Sequence, residues 1–112
     1  MPADQFSVKV QGSDTIGNYL PPELGSGSFA TGQVSITTSA TQIVAARAGR
    51  RAVLVVQHGT TVVSVGASGV TTSTGVRLPG TDGAALVVAT SAALFGIVAS
   101  GTQTVSFIEL FD

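Results

Sequence analysis

A chain of 112 residues suits one compact domain, and with 10% charged residues this one holds less than half of the ~25% usual in soluble domains. It has one His (His58), one Lys (Lys9), no Cys and no Trp, and its net charge is −1. Acid–base catalysis, metal ligation and phosphate contact all draw on the side chains in short supply. The composition therefore argues against an enzyme, a metal site, a bound cofactor and a nucleic-acid partner.

The mean hydropathy of +0.48 is high for a water-soluble domain. A membrane span is not the expected cause. The longest apolar runs, Ala84–Ala89 and Ala92–Ala99, are broken by Thr90, Ser91 and Gly96, whereas a spanning helix needs about 20 apolar residues. The first ten residues include Pro, Asp and Gln, which do not suit a signal peptide. A surface with few charges and almost no net repulsion between copies is one that neighbours can cover.

In chain order, residues 1–31 read as an arm. Three of the four prolines lie there, and Phe6, Val8 and Val10 alternate as one short strand. Gly12–Gly27 reads as an irregular connector, with Pro21-Pro22 favouring extended backbone and Gly25-Ser26-Gly27-Ser28 a flexible joint. Ile16, Tyr19, Leu20, Leu24 and Phe29 are scattered along it, an apolar content that a solvated linker does not need.

Residues 32–112 read as an all-β domain, an antiparallel β-sandwich or jelly-roll-like barrel. Strands are predicted over Gln33–Thr37, Gln42–Ala46, Ala52–His58, Thr61–Gly66, Val76–Leu78, Ala85–Val88, Leu94–Ala99 and Thr102–Leu110. Turn residues recur about every eight to twelve positions, as sandwiches require. His58-Gly59-Thr60 and Ser100-Gly101 are short enough to read as hairpin turns. Ala45-Ala46-Arg47-Ala48 and Ser91-Ala92-Ala93 have helical propensity but are too short for more than a turn. The domain has no lysine and one proline (Pro79) to blunt strand edges, so either the sheet closes on itself or a partner covers it.

Few residues could carry chemistry. His58 would need a nucleophile and an orienting acid, for which Ser64 and Asp82 are the nearest candidates, but no motif links them, and a surface or interface histidine is the expected role. Arg47, Arg50 and Arg51 form the only basic cluster. They read as a charged turn guarding the valine run beside them, with phosphate contact or pairing to acids of a neighbouring subunit as alternatives. Gly66–Gly69 and Gly80–Gly83 lack the Lys-Ser/Thr ending of a phosphate loop and read as turns. Glu109 interrupts the apolar closing strand. It marks either a bulge or a strand with one face in the core and the other against a partner.

The segment Ser35–Val55 (SITTSATQIVAARAGRRAVLV), Val63–Gly75 (VSVGASGVTTSTG), Leu78-Pro79-Gly80 and the ending Phe95–Val105 resemble small β-sandwich virion proteins of tailed bacteriophages, of the capsid decoration (cement) or head-fibre base type. The resemblance spans about residues 33–112. It implies a non-enzymatic homotrimer on the outer surface of the capsid, made in the host cytoplasm, with the major capsid protein as partner. It supplies no functional residues to carry over one by one.

On that reading Phe6, Val8, Val10, Ile16, Tyr19, Leu20 and Phe29 are the candidate capsid or inter-subunit contacts of the arm, and Arg47, Arg50 and Arg51 the candidate polar contacts between subunits. The competing arrangement folds the arm back over its own sandwich. The alternative function is a fibre or tail component that recognises a host-surface glycan, disfavoured by the lack of Trp.

Overall fold

The computed structural model describes residues 27–112. The expected strand at Phe6–Val10, and the positions Ile16, Tyr19, Leu20 and Leu24, lie outside the described residues.

Eight strands and no helix make up the described chain: β1 (Ser28–Ile36), β2 (Thr41–Val44), β3 (Arg50–Gln57), β4 (Val63–Gly66), β5 (Val76–Leu78), β6 (Ala85–Val88), β7 (Leu94–Ile97) and β8 (Gln103–Phe111). They form two four-stranded antiparallel sheets, ordered β1-β8-β3-β6 and β2-β7-β4-β5. The pairs β1·β8, β2·β7, β3·β6 and β4·β5 are those of one long hairpin wound upon itself, and β3·β8 and β4·β7 knit the turns of the winding together. This is jelly-roll connectivity.

Valine-rich alternation explains why these segments are strands. Along β8, Val105, Phe107 and Glu109 face inward, and their β1 partners are Val34, Gly32 and Ala30. Val53 and Val55 of β3 complete that inner layer. Ile43, Val63, Val65, Leu78 and Leu94 oppose it from the second sheet, and most of this core is fully buried. Gly32 sits mid-strand because the Phe107 ring lies over it. A Cβ there would stand 2.7 Å from the ring.

The structure corrects both expected hairpins. β3 and β4 belong to different sheets, as do β7 and β8, so His58-Gly59-Thr60 and Ser100-Gly101 lie in crossovers between layers. The cause is visible at each strand end. Gln57 is drawn into the β6 side by hydrogen bonds from its N–H to the Ala84 carbonyl (2.8 Å) and from the Gly83 N–H to its own carbonyl (2.9 Å). Its buried Nε2 donates to the carbonyls of Thr61 (2.7 Å) and Pro79 (3.3 Å), which turns the chain toward the other sheet. Val98 leaves β7 to pack in the core, its N–H bound to the Thr37 carbonyl (3.0 Å).

β1 begins at Ser28, five residues before the strand expected at Gln33. Small inward residues (Ala30, Gly32) and polar outward ones (Thr31, Gln33) extend it.

Candidate assembly surface

The two sheets differ in what covers their outer faces. Over β2-β7-β4-β5 folds the chain's own β4–β5 loop. Val70 in that loop is buried, its Cγ2 3.0 Å from the Cβ position of Gly66, and Gly75 lies so close to Ser64 that a Cβ would meet the Ser64 side chain at 2.7 Å. Ser64 is 3% exposed as a result, and it belongs to β4, whereas His58 follows the end of β3 in the other sheet.

Among the described residues no comparable segment covers β1-β8-β3-β6. Strand register places its outward side chains in rows: Phe29, Leu110 and Ala52; then Thr31, Ile108, Leu54 and Val87; then Gln33, Ser106, Val56 and Ala85. An antiparallel sheet with one solvated face ordinarily alternates apolar-in with polar-out. Here the alternation fails over the half of the face that holds Leu54, Val56, Val87, Ile108 and Leu110. Phe29 and Val87 are 67% and 62% exposed. A shallow hollow of about 300 Å³ crosses the middle of this face, floored by Gly32 and Phe107 and edged by Thr31, Val56 and Ile108. Toward the other end the face turns polar, where His58 Nε2 lies 2.9 Å from Ser106 Oγ.

The arginines gather at one end of the sandwich and meet acids of their own chain. Arg50, with its side chain fully buried, donates from Nη1 to Glu109 Oε1 (2.9 Å) and the Ala45 carbonyl (2.7 Å), from Nε to the Thr90 carbonyl (2.9 Å), and from Nη2 to the Ala92 carbonyl. Arg47 reaches the same carboxylate (Nε to Oε1, 3.3 Å) and lies 4.0 Å over the Phe111 ring. Arg51 forks onto Asp112 at 2.9 and 3.2 Å.

Two short segments with helical propensity, around Ala45 and Ala92, are thus loops whose carbonyls solvate a guanidinium. Glu109 continues the inward face without a register shift in β1·β8. The bulge falls instead on β3, between Arg50 and Ala52. Sequence reading missed the Arg50–Glu109 pair, although the inward parity of Glu109 was a signal for a buried partner.

Chemically, this arrangement holds two end loops and the closing strand together. Among the described residues no group of three or more His, Cys, Asp or Glu could hold a metal ion. Asp82, in the β5–β6 connection, is not brought to His58 by any hydrogen bond or ion pair described. Of the candidate contacts, Phe29 stands on the bare face and the arginines form the end cluster. Comparison with family models, with curated proteins and with solved structures finds no match to this chain.

Proposed function

We propose that the protein is a non-enzymatic structural component of a virion, a homotrimer that binds the outer surface of a phage capsid and cements it. The observation that carries this reading is the apolar half of the β1-β8-β3-β6 face, which no segment covers among the described residues. Contiguous apolar surface of this kind marks sites where a partner docks. A cement protein needs that and no turnover chemistry. By binding the assembled lattice and not free subunits, it shifts the equilibrium toward the intact shell. Three linked copies add avidity, since each contact after the first forms within one complex.

The test pairs oligomeric state with shell binding. Light scattering of the full chain gives a trimer mass, and incubation with expanded, undecorated phage capsids gives saturable binding at a fixed ratio to the shell protein. Ile108→Asp, which places a charge in the centre of the face, leaves the sandwich folded and abolishes one or both. A monomer that ignores capsids sinks the proposal, and a positive glycan array in its place points to a fibre or tail role.

A further inference from the structure

We infer that Arg77, Ser64 and Thr72 form a binding site for a single carboxylate, the end of a Glu or Asp side chain on a partner protein. The three line one hollow of about 200 Å³ on the outer side of β2-β7-β4-β5, walled by Val62 and Ala99. The hollow is smaller than the roughly 300–1,000 Å³ that drug-sized ligands fill, so it suits one inserted side chain and not a whole small molecule.

Strand register builds the site. Ser64 of β4 stands directly opposite Arg77 of β5, which puts both side chains on the same outward face with Cβ atoms about 4.5–5.5 Å apart. Ile97 of β7 flanks Ser64 on its other side. The β4–β5 loop then returns over the sheet, bringing Gly75 against Ser64 and Thr72 to the hollow.

What marks the hollow is unspent hydrogen-bonding capacity. The Arg77 guanidinium makes no ion pair or hydrogen bond among the described residues, whereas those of Arg47, Arg50 and Arg51 all do. Ser64 is almost fully buried, yet its hydroxyl has no partner among the described residues. Gln57 Oε1 is the sealed side-chain atom left unpaired there, so the Ser64 hydroxyl is not sealed but opens on the hollow. The Thr72 hydroxyl is likewise unpaired, while those of Thr71 and Thr74 bond to each other. Buried polar groups are ordinarily satisfied, and here the occupant of the hollow supplies the missing acceptor.

Charge decides the occupant. A guanidinium and two hydroxyls offer donors, and none of the described acids lines the hollow, so it refuses a cation and accepts an anion. One positive charge matches one carboxylate, and arginine presents the forked N–H pair that carboxylate geometry fits. A phosphate dianion would keep an uncompensated charge against Val62 and Ala99. A charge on the edge strand β5 also blunts that edge, but edge protection needs no buried hydroxyl beside it. The site lies on the sheet opposite the apolar β1-β8-β3-β6 face, so the inference is independent of the capsid reading.

The test uses the isotope-labelled full chain and N-acetylglutamate α-methylamide, with N-acetylglutamine α-methylamide as its uncharged twin. In NMR titrations the Arg77 Nε–H and Ser64 amide signals shift and saturate with the carboxylate, at a dissociation constant on the order of millimolar, and do not move with the twin. Arg77→Gln, at an exposed position that leaves the melting midpoint unchanged, weakens binding at least tenfold, as loss of a charge-assisted hydrogen bond requires. Ser64→Ala weakens it several-fold without moving the signals of Arg50 and Glu109 at the end cluster. Equal shifts with both compounds, shifts that never saturate, or undiminished binding by Arg77→Gln each overturn the inference.

Discussion

Glu109→Gln tests the end clamp. The substitution keeps the shape and removes the charge facing a guanidinium whose side chain is fully buried. Breaking a buried pair by removing one partner costs about 3–5 kcal/mol, because the other charge stays desolvated and uncompensated. Arg50 keeps the carbonyls of Ala45, Thr90 and Ala92, which places the expected loss near the lower end, about 3 kcal/mol. For a domain of about 85 residues, total stability lies around 4–13 kcal/mol, so the loss takes a large fraction of it. At ~4–8 °C per kcal/mol the midpoint falls by about 12–24 °C.

Arg47→Ala is the internal control. Its side chain is 41% exposed, and solvent screening holds its share to about 1 kcal/mol or less. Urea unfolding at fixed protein concentration reads these differences as midpoint shifts at constant slope. The double variant Arg50→Met/Glu109→Leu costs less than the sum of its single changes, because the singles each strand a charge and the double strands none. A Glu109→Gln loss below about 1 kcal/mol, or strict additivity in the cycle, would refute the argument that burial makes this pair costly to break.

Other expectations follow from contacts of particular residues. Gly80→Ala drives a Cβ into the Thr60 carbonyl, backbone that cannot rotate aside, and destabilises by about 1–3 kcal/mol. Gly69→Ala meets nothing within 4 Å and is neutral or stabilising by about 0.4–1 kcal/mol, so thermal melts should show a lowered midpoint for Gly80→Ala and an unchanged or raised one for Gly69→Ala. Gln57→Leu leaves the Thr61 and Pro79 carbonyls without their donor at the β3–β4 crossover, at a cost of about 1–3 kcal/mol by urea titration. Leu54→Thr, on the bare face, changes the unfolding midpoint little but weakens self-association in a dilution series measured by light scattering.

What the sequence made legible was local. Alternation located all eight strands, with Val76–Leu78 and Ala85–Val88 matched at both ends, because strand period is written into consecutive residues. Pairing was not legible, because in a jelly roll the partner of β1 is β8, at the far end of the domain. A short turn-like connector says that the chain reverses. It does not say whether the next strand joins the same sheet or the facing one, and at Gln57 a single buried amide decides it. The arginine cluster was equally visible, yet its acids lie 59 and 61 residues away, and only the winding of β3 beside β8 brings them within reach.

That clustering changes what the low charge content means for the surface. Among the described residues Arg47, Arg50, Arg51, Glu109 and Asp112 are tied to one another at one end of the sandwich, and Arg77 and Asp82 are the charged side chains that remain. Ion pairs that satisfy each other do little to repel a neighbouring molecule, so the sheet faces are poorer in effective charge than 10% of the sequence suggests. The two faces meet this shortage differently. One folds its own loop over Ser64 and Gly66, using Val70 as a plug. On the other, Ile108, Leu54 and Val87 stand in register with no such cover among the described residues. If apolar content alone had driven the design, both faces would be expected to fold a loop inward. Among the described residues only one does so, which is why the proposed contact is placed on β1-β8-β3-β6.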